Sequence, residues 1–203
     1  MRRFSAYSIA GNGKANEDYI LCRQLSCGCL LAVLADGIGG LAFGAQAAIL
    51  VSHSIADFID LNFYVYPPEE LLREAFYIAD KTIRDKSYDR CCKMGAAVCV
   101  TLICNDNMYF AWQGNVRLYK QNINGVHMLT DDHVVYDGVA TYLSRCINGK
   151  GFRESVPVRK TTFGGDDVIY LCSDGYYQKM DVLGEKPQGK MDDDASIIEI
   201  LND

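Results

Sequence analysis

The sequence predicts an α+β domain in which stacked antiparallel sheets are covered by helices. Three observations lead there. Short strand-like runs follow one another through tight polar turns, which is the habit of antiparallel strands. Long amphipathic stretches are grouped instead of alternating with strands, so βαβ units are excluded. Of 203 residues, 49% are hydrophobic and 23% charged, with thirteen tyrosines and eight phenylalanines. That is the balance of a chain able to pack a core.

Residues 4–9, 19–25 and 30–35 are strands by alternation or by a continuous apolar run. Gly39-Gly40 then opens a helical pattern over 41–62, with apolar positions recurring every three or four residues. Pro67-Pro68-Glu69-Glu70 marks a second helix start, with proline in the first turn and acids facing the positive end of the dipole. That helix runs to about residue 86. Strands follow at 96–104, 108–112, 117–121 and 126–129, joined by the turn segments Asn105-Asp106-Asn107 and Asn122-Ile123-Asn124-Gly125. The pattern over 134–147 predicts another helix, stopped by Asn148-Gly149. Strands at 156–163, 168–172 and 195–201 close the chain. No repeat, low-complexity tract or linker interrupts it, so residues 1–203 read as a single domain.

The formal net charge is −6, and no dense basic run is present, which argues against nucleic acid as a partner. The longest apolar run, 30–35, is far short of the roughly 20 residues that span a bilayer. Met1-Arg2-Arg3 is not followed by an apolar signal segment, so a cytoplasmic protein without a membrane partner is expected. The nine cysteines are an odd number, and Cys22, Cys99, Cys104 and Cys172 lie in apolar runs as small buried hydrophobes. Reduced thiols are expected, and neither Cys27-Gly28-Cys29 nor Cys91-Cys92 has structural-zinc spacing.

Four segments place carboxylates at strand ends. Glu17-Asp18 begins one strand, Asp36 ends the next, Asp174 follows the strand 168–172, and Asp192-Asp193-Asp194 precedes the last. Antiparallel pairing of sequence neighbours sets the start of one strand beside the end of the other. Each pair therefore collects its acids at one sheet edge. If the two edges face each other, four or five carboxylates converge, and their repulsion calls for cations. Hard oxygen donors select magnesium, manganese or calcium over zinc or copper. The plainer reading is that aspartate favours turns because it bonds its own backbone. Asp36 resists it: an apolar strand runs straight into Asp36, and Gly37-Ile38-Gly39-Gly40 follows, where the glycines let the backbone approach something closely.

At these positions the sequence resembles the metal-dependent, type 2C serine/threonine protein phosphatases. Asn16-Glu17-Asp18, Ala35-Asp36-Gly37-Ile38-Gly39-Gly40, Met94-Gly95-Ala96-Ala97, Gly114-Asn115-Val116-Arg117, Leu129-Thr130-Asp131-Asp132-His133, Cys172-Ser173-Asp174-Gly175 and Asp193-Asp194-Ala195-Ser196 match that family's motifs in order. The resemblance implies an αββα four-layer sandwich of two antiparallel sheets flanked by helices. It also implies two Mn2+ or Mg2+ ions and hydrolysis of phosphoserine and phosphothreonine in proteins by attack of an activated water. Asp36 would bridge both ions, the Gly37 carbonyl would bind one, and Asp174 and Asp193 would hold the other. Glu17 and Asp18 would orient water. Phosphoproteins, with a cognate serine/threonine kinase, are the implied partners.

The departures are specific. Gly13 stands where the family's phosphate-binding arginine is expected, leaving the neighbouring Lys14, or a basic residue such as Arg2 or Arg3, as the phosphate contact. Lysine supplies charge without a bidentate fork. Asn115 replaces a further metal aspartate, and Gln178 falls near another such position, so a third metal is absent or weak. Ile38 occupies a place where some members carry a histidine. The interval between Asp174 and Asp193 is short, which implies a minimal version with the usual inserted helices largely missing.

Two other readings share the fold: a weak or inactive relative that binds phosphoproteins, and a small-molecule phosphomonoesterase. Gly11-Asn12-Gly13-Lys14 lacks the spacing of a phosphate-binding loop, and neither a cysteine-nucleophile cradle nor a Gly-x-Ser-x-Gly elbow is present. His53, His127 and His133 are scattered and read as structural.

Overall fold

The computed structural model describes residues 2–12, 15–41, 43–180, 182–187 and 190–202. In order, the chain forms β1 (Arg2–Ile9), β2 (Asp18–Gln24), β3 (Leu30–Gly37), α1 (Gly44–Asn62), α2 (Pro68–Asp89), β4 (Ala96–Cys104), β5 (Asn107–Gln113), β6 (Arg117–Asn122) and β7 (Gly125–Met128). There follow β8 (Val134–Tyr136), β9 (Thr141–Leu143), β10 (Val158–Thr162), β11 (Val168–Cys172), α3 (Asp174–Tyr177) and β12 (Ala195–Asn202). Two five-stranded sheets result, ordered β1-β12-β11-β6-β7 and β10-β5-β4-β3-β2. Every pairing is antiparallel.

The α+β class therefore holds, with two stacked sheets. β3 explains the stacking: Leu31, Val33 and Ala35 face α1 and α2, while Leu30, Ala32 and Leu34 face the other sheet. A strand buried on both faces reads as a continuous apolar run. The helices bury stripes of matching period, Ala48, Val51, Ile55 and Ile59 from α1 and Leu72, Ala75, Phe76, Ala79 and Ile83 from α2. Between the sheets, Trp112, Leu118, Ile169, Leu171, Ile198 and Ile200 fill the central core. The outer face of the first sheet is covered far more thinly. Its cluster of Tyr170, Cys172, Tyr176, Met191 and Ile197 lies under the four-residue α3 and the segment after it. The fourth layer is thus one helical turn plus loop, as the short 174–193 interval requires. No helix among the described residues is long and apolar enough to cross a membrane.

Three expectations need correction. Residues 134–147 are not a helix but the hairpin β8–β9 and an extended segment. Asp137 Oδ1 accepts the N–H groups of Val139 and Ala140 at 2.9 Å each, and Gly138 takes φ +97°. That local turn outcompetes a helix that β-branched Val134, Val135, Val139 and Thr141 would disfavour anyway. Cys29 and Cys104 are a disulfide, not free thiols. Leu30 lies opposite Ile103, so the two cysteines are the next facing positions, with Cα atoms 4.6 Å apart. Arg2 and Arg3 pair with Asn202 and Leu201 at one end of β1, whereas the acids lie beyond the other end, where Ile9 faces Ala195. Along an eight-residue strand that separation is about 24 Å, so neither arginine serves as the phosphate contact.

Candidate active site

The acids at the strand ends meet as the pairing argument requires. Asp18 lies directly opposite Asp36 in the β2–β3 ladder. In the other sheet Cys172 faces Ile197, which brings Asp174 and Asp193 to one edge just beyond the paired residues. The two edges face a common cavity of about 430 Å³. Its walls carry Glu17, Asp36, Gly37, Asp132, Asp174, Asp193 and Asp194 and, among the described residues, one cation, Arg117. Asp18, the partner of Asp36 in the ladder, is buried at 8% exposure. Lys14, expected at the phosphate, lies outside the described residues.

Close packing fixes this arrangement. A Cβ on Gly37 would collide with the backbone of Gly44 at the start of α1, and one on Gly44 would collide with the Glu17 carboxylate. Only glycine at both positions allows the turn after β3, the helix start and Glu17 to share that space. The Gly37 N–H donates to the Glu17 carbonyl at 3.0 Å, and Ile38 N–H to the Gly95 carbonyl at 3.0 Å.

Burial and mutual repulsion push the carboxyl groups upward. Asp18 is raised to about 7, first by burial and then by Asp194 and Asp174, against lowering by its serine partners. Asp36 is raised well above the ordinary range by burial, with Asp18, Asp174, Asp193 and Asp194 adding repulsion. Asp174 is raised by burial and then by Asp193, while the Gly175 N–H and Asn115 oppose the shift. One oxygen of Asp18, Oδ1, is buried without a hydrogen-bond partner among the described residues.

The donor set fits hard divalent cations. Among the described residues the lining offers carboxylates and backbone oxygens, with no thiol or imidazole. A bound divalent charge opposes the upward push that burial and neighbouring acids exert on these carboxyl groups. Among the described residues no three His, Cys, Asp or Glu side chains already meet as a closed cage. The carboxylates line one space instead.

Asp194, Asp132 and Arg117 line the site without a role assigned to them from the sequence. Asp194, neighbour of the expected Asp193, is a clamp: its oxygens accept the Gly11 N–H at 2.7 Å and the Glu17 N–H at 2.6 Å. Three consecutive aspartates gave no sign of which one turns inward. Asn115 Nδ2 donates to Asp174 Oδ2 at 3.0 Å, so the residue standing in for an acid anchors one. Arg117 makes a fork with Asp132 (Nη2 to Oδ2 2.8 Å, Nε to Oδ1 3.0 Å) and lies 3.7 Å over the Tyr177 ring. His133 stacks on Trp112, and its Nδ1 accepts the Gly114 N–H at 3.2 Å. Ile38 and Gln178 line the cavity without adding charge.

The chain is similar in sequence and in fold to known proteins. The family description "Protein phosphatase 2C" matches residues 7–196. A Mycoplasma pneumoniae protein that carries the name "Putative protein phosphatase" is 23% identical over 195 residues, covering 83% of this chain and 75% of that protein. The Mycobacterium tuberculosis serine/threonine phosphatase PstP/Ppp superposes with a TM-score of 0.83 at 18% identity, covering 100% of this chain and 99% of its own. The catalytic domain of PstP in complex with two manganese ions gives 0.79 at 19% identity, covering 100% and 99%.

Proposed function

The chain belongs to the protein phosphatase 2C family, and we propose that it hydrolyses phosphoserine and phosphothreonine in proteins with two bound Mn2+ or Mg2+ ions. One observation carries the reading. Asp36, Asp174 and Asp193, from three distant segments, line a single cavity at the facing ends of two sheets.

Asp36, the Gly37 carbonyl, Asp174 and Asp193 would hold the ions. When bound, such ions supply Lewis acidity toward a phosphoryl oxygen and make water a competent nucleophile near neutral pH. The chain's own residues do the rest. Asn115 fixes the Asp174 carboxylate, and Asp194 pins the segment carrying Glu17. Glu17 and Asp18 orient water at the edge of β2, with Asp18 held by Ser173 Oγ at 2.8 Å. Lys14 supplies a positive charge to the phosphate. No side chain is needed as a covalent carrier of the phosphoryl group. A serine/threonine kinase is the class of enzyme that must make the substrate.

The reading is tested by supplying manganese-loaded protein with phosphothreonine peptides, sugar phosphates and nucleotides. Preferential turnover of the peptides is expected. Turnover confined to the small phosphates would move the function to a phosphomonoesterase. Phosphopeptide binding without turnover would make the chain a binding relative.

A further inference from the structure

We infer that a second cavity beside the catalytic one is a subsite for an acidic residue flanking the phosphorylated residue of the protein substrate, an inference that rests on the phosphatase reading above. The cavity measures about 610 Å³, and its lining includes Gln113, Arg145, Lys150, Arg153 and Glu154. Three cations face one carboxylate there, the reverse of the acid-rich catalytic cavity and unexpected in a chain of net charge −6. Arg145 is paired with Glu154. Lys150 and Arg153 are exposed and form no ion pair among the described residues.

Gln113 supplies the independent sign of a ligand. It is 1% exposed and lines this cavity, yet neither Nε2 nor Oε1 has a hydrogen-bond partner among the described residues. Buried amides are rarely left unmet on both sides, because each orphaned group carries a desolvation penalty. An acidic residue within a peptide answers both needs. Its carboxylate accepts from Nε2 and from the basic groups, and a backbone N–H of the peptide donates to Oε1. A donor-free anion such as sulfate offers acceptors alone and leaves Oε1 unmet, whereas a peptide carries the carboxylate and the N–H donor on one chain.

The cavity is preformed and borders the catalytic one. Asp80 of α2 accepts N–H groups from Asn148, Gly149 and Gly151 at 3.2, 2.8 and 2.8 Å, and Ile147 bridges to Ala96 of β4. These bonds hold the basic loop before any ligand arrives, which lowers the ordering cost of binding. Leu143 lines both cavities. Gln113 is two residues from Asn115, the partner of Asp174, so their Cα atoms lie within about 7 Å. An extended substrate rises about 3.3 Å per residue, which places the acid roughly two or three positions from the phosphorylated residue.

The test uses manganese-loaded protein and phosphothreonine peptides with Glu, Ala or Lys two and three positions away on either side. p-Nitrophenyl phosphate, which has no flank, is the reference. The Glu peptides are expected to show kcat/KM roughly tenfold above the Ala peptides on at least one side, with the Lys peptides lowest. Raising the ionic strength to about 1 M should flatten the series. Lys150→Glu and Arg153→Glu, both exposed, should abolish the preference relative to p-nitrophenyl phosphate turnover by the same variant. Gln113→Leu should raise KM for the Glu peptide with little change in kcat, and the two charge reversals decide if that variant does not fold. Equal rates for Glu and Ala peptides, or a preference that survives both reversals, would overturn the inference. Absence of p-nitrophenyl phosphate turnover would count against the phosphatase reading instead. Fluorescence anisotropy of a labelled Glu-flanked phosphopeptide then decides the subsite: weakening by Lys150→Glu supports it, and identical binding refutes it.

Discussion

Ser173 Oγ donates to Asp18 Oδ2 at 2.8 Å, joining the turn after β11 in one sheet to the start of β2 in the other. The same oxygen accepts the Ser196 N–H at 2.9 Å. A buried serine thus holds a buried carboxylate and links the two sheets where the acids converge.

Ser173→Ala is expected to cost about 1–3 kcal/mol, the range for orphaning a buried acceptor. It should also push the Asp18 carboxyl further above its present position near 7. Urea denaturation measures the first effect. An unchanged midpoint would show that the bond does not matter to the fold.

Protein stripped of divalent ions should be more stable in mild acid than in mild base. In the folded chain the Asp18 carboxyl is raised to about 7 from 3.8, so folding takes up a proton between those values. Stability from this group is full below about pH 4 and is lost as pH rises through 7. Burial and repulsion push Asp36 and Asp174 in the same direction. Thermal melts in chelator should therefore fall by several degrees from pH 5.5 to pH 8. Added manganese, which needs ionised carboxylates, should restore the loss mainly at the higher pH. Equal melting temperatures in chelator at the two pH values would contradict this electrostatic picture.

Gly37→Ala would drive a methyl group into the Gly44 backbone. Neither partner is a flexible side chain, so the turn or α1 must shift, at a cost of about 2 kcal/mol or more, and manganese affinity should fall with it. Gly39→Ala is the control, because its Cβ would meet only Glu17 Oε2 at an ordinary 3.9 Å. Calorimetric manganese titration of both variants checks the contrast, and equal behaviour would deny the close approach a role.

Arg117 and Lys14 are expected to divide the cationic work. Arg117 spends its Nε and Nη2 on Asp132 and its Nη1 on Tyr119, at 3.2 Å. Arg117→Lys should therefore cost about 1–2 kcal/mol of stability by losing the fork while KM for p-nitrophenyl phosphate stays within about twofold. Lys14→Ala should raise that KM about fivefold or more without destabilising the chain. Steady-state kinetics with denaturation on the two variants would expose the opposite assignment.

Much of this was legible in the sequence, for identifiable reasons. β3 and β4 are apolar on both faces, so their runs announce buried central strands. Pairing of neighbouring strands needs no long-range knowledge, which is why Asp18 beside Asp36 and Asp174 beside Asp193 could be foreseen. The hairpin at 134–143 was not legible. Its apolar spacing mimics a helix, and the deciding contact is the Asp137 side chain on its own backbone. The Cys29–Cys104 bond depends on the β3–β4 register across 75 residues. Asp194 and Ser173 act through bonds to segments about 180 and 155 positions away, and no local pattern encodes those partners.

The central claim is that Asp36, Asp174 and Asp193 capture two divalent ions that make phosphopeptide hydrolysis possible. The most direct measurement adds manganese to chelator-stripped protein while following both heat of binding and phosphopeptide turnover. The account predicts no turnover without metal and recovery that tracks the filling of two sites. It also predicts loss of both signals by about two orders of magnitude or more in Asp36→Asn or Asp174→Asn, with unchanged circular dichroism. Full turnover by the metal-free protein, or undiminished binding and rate in those variants, would contradict it.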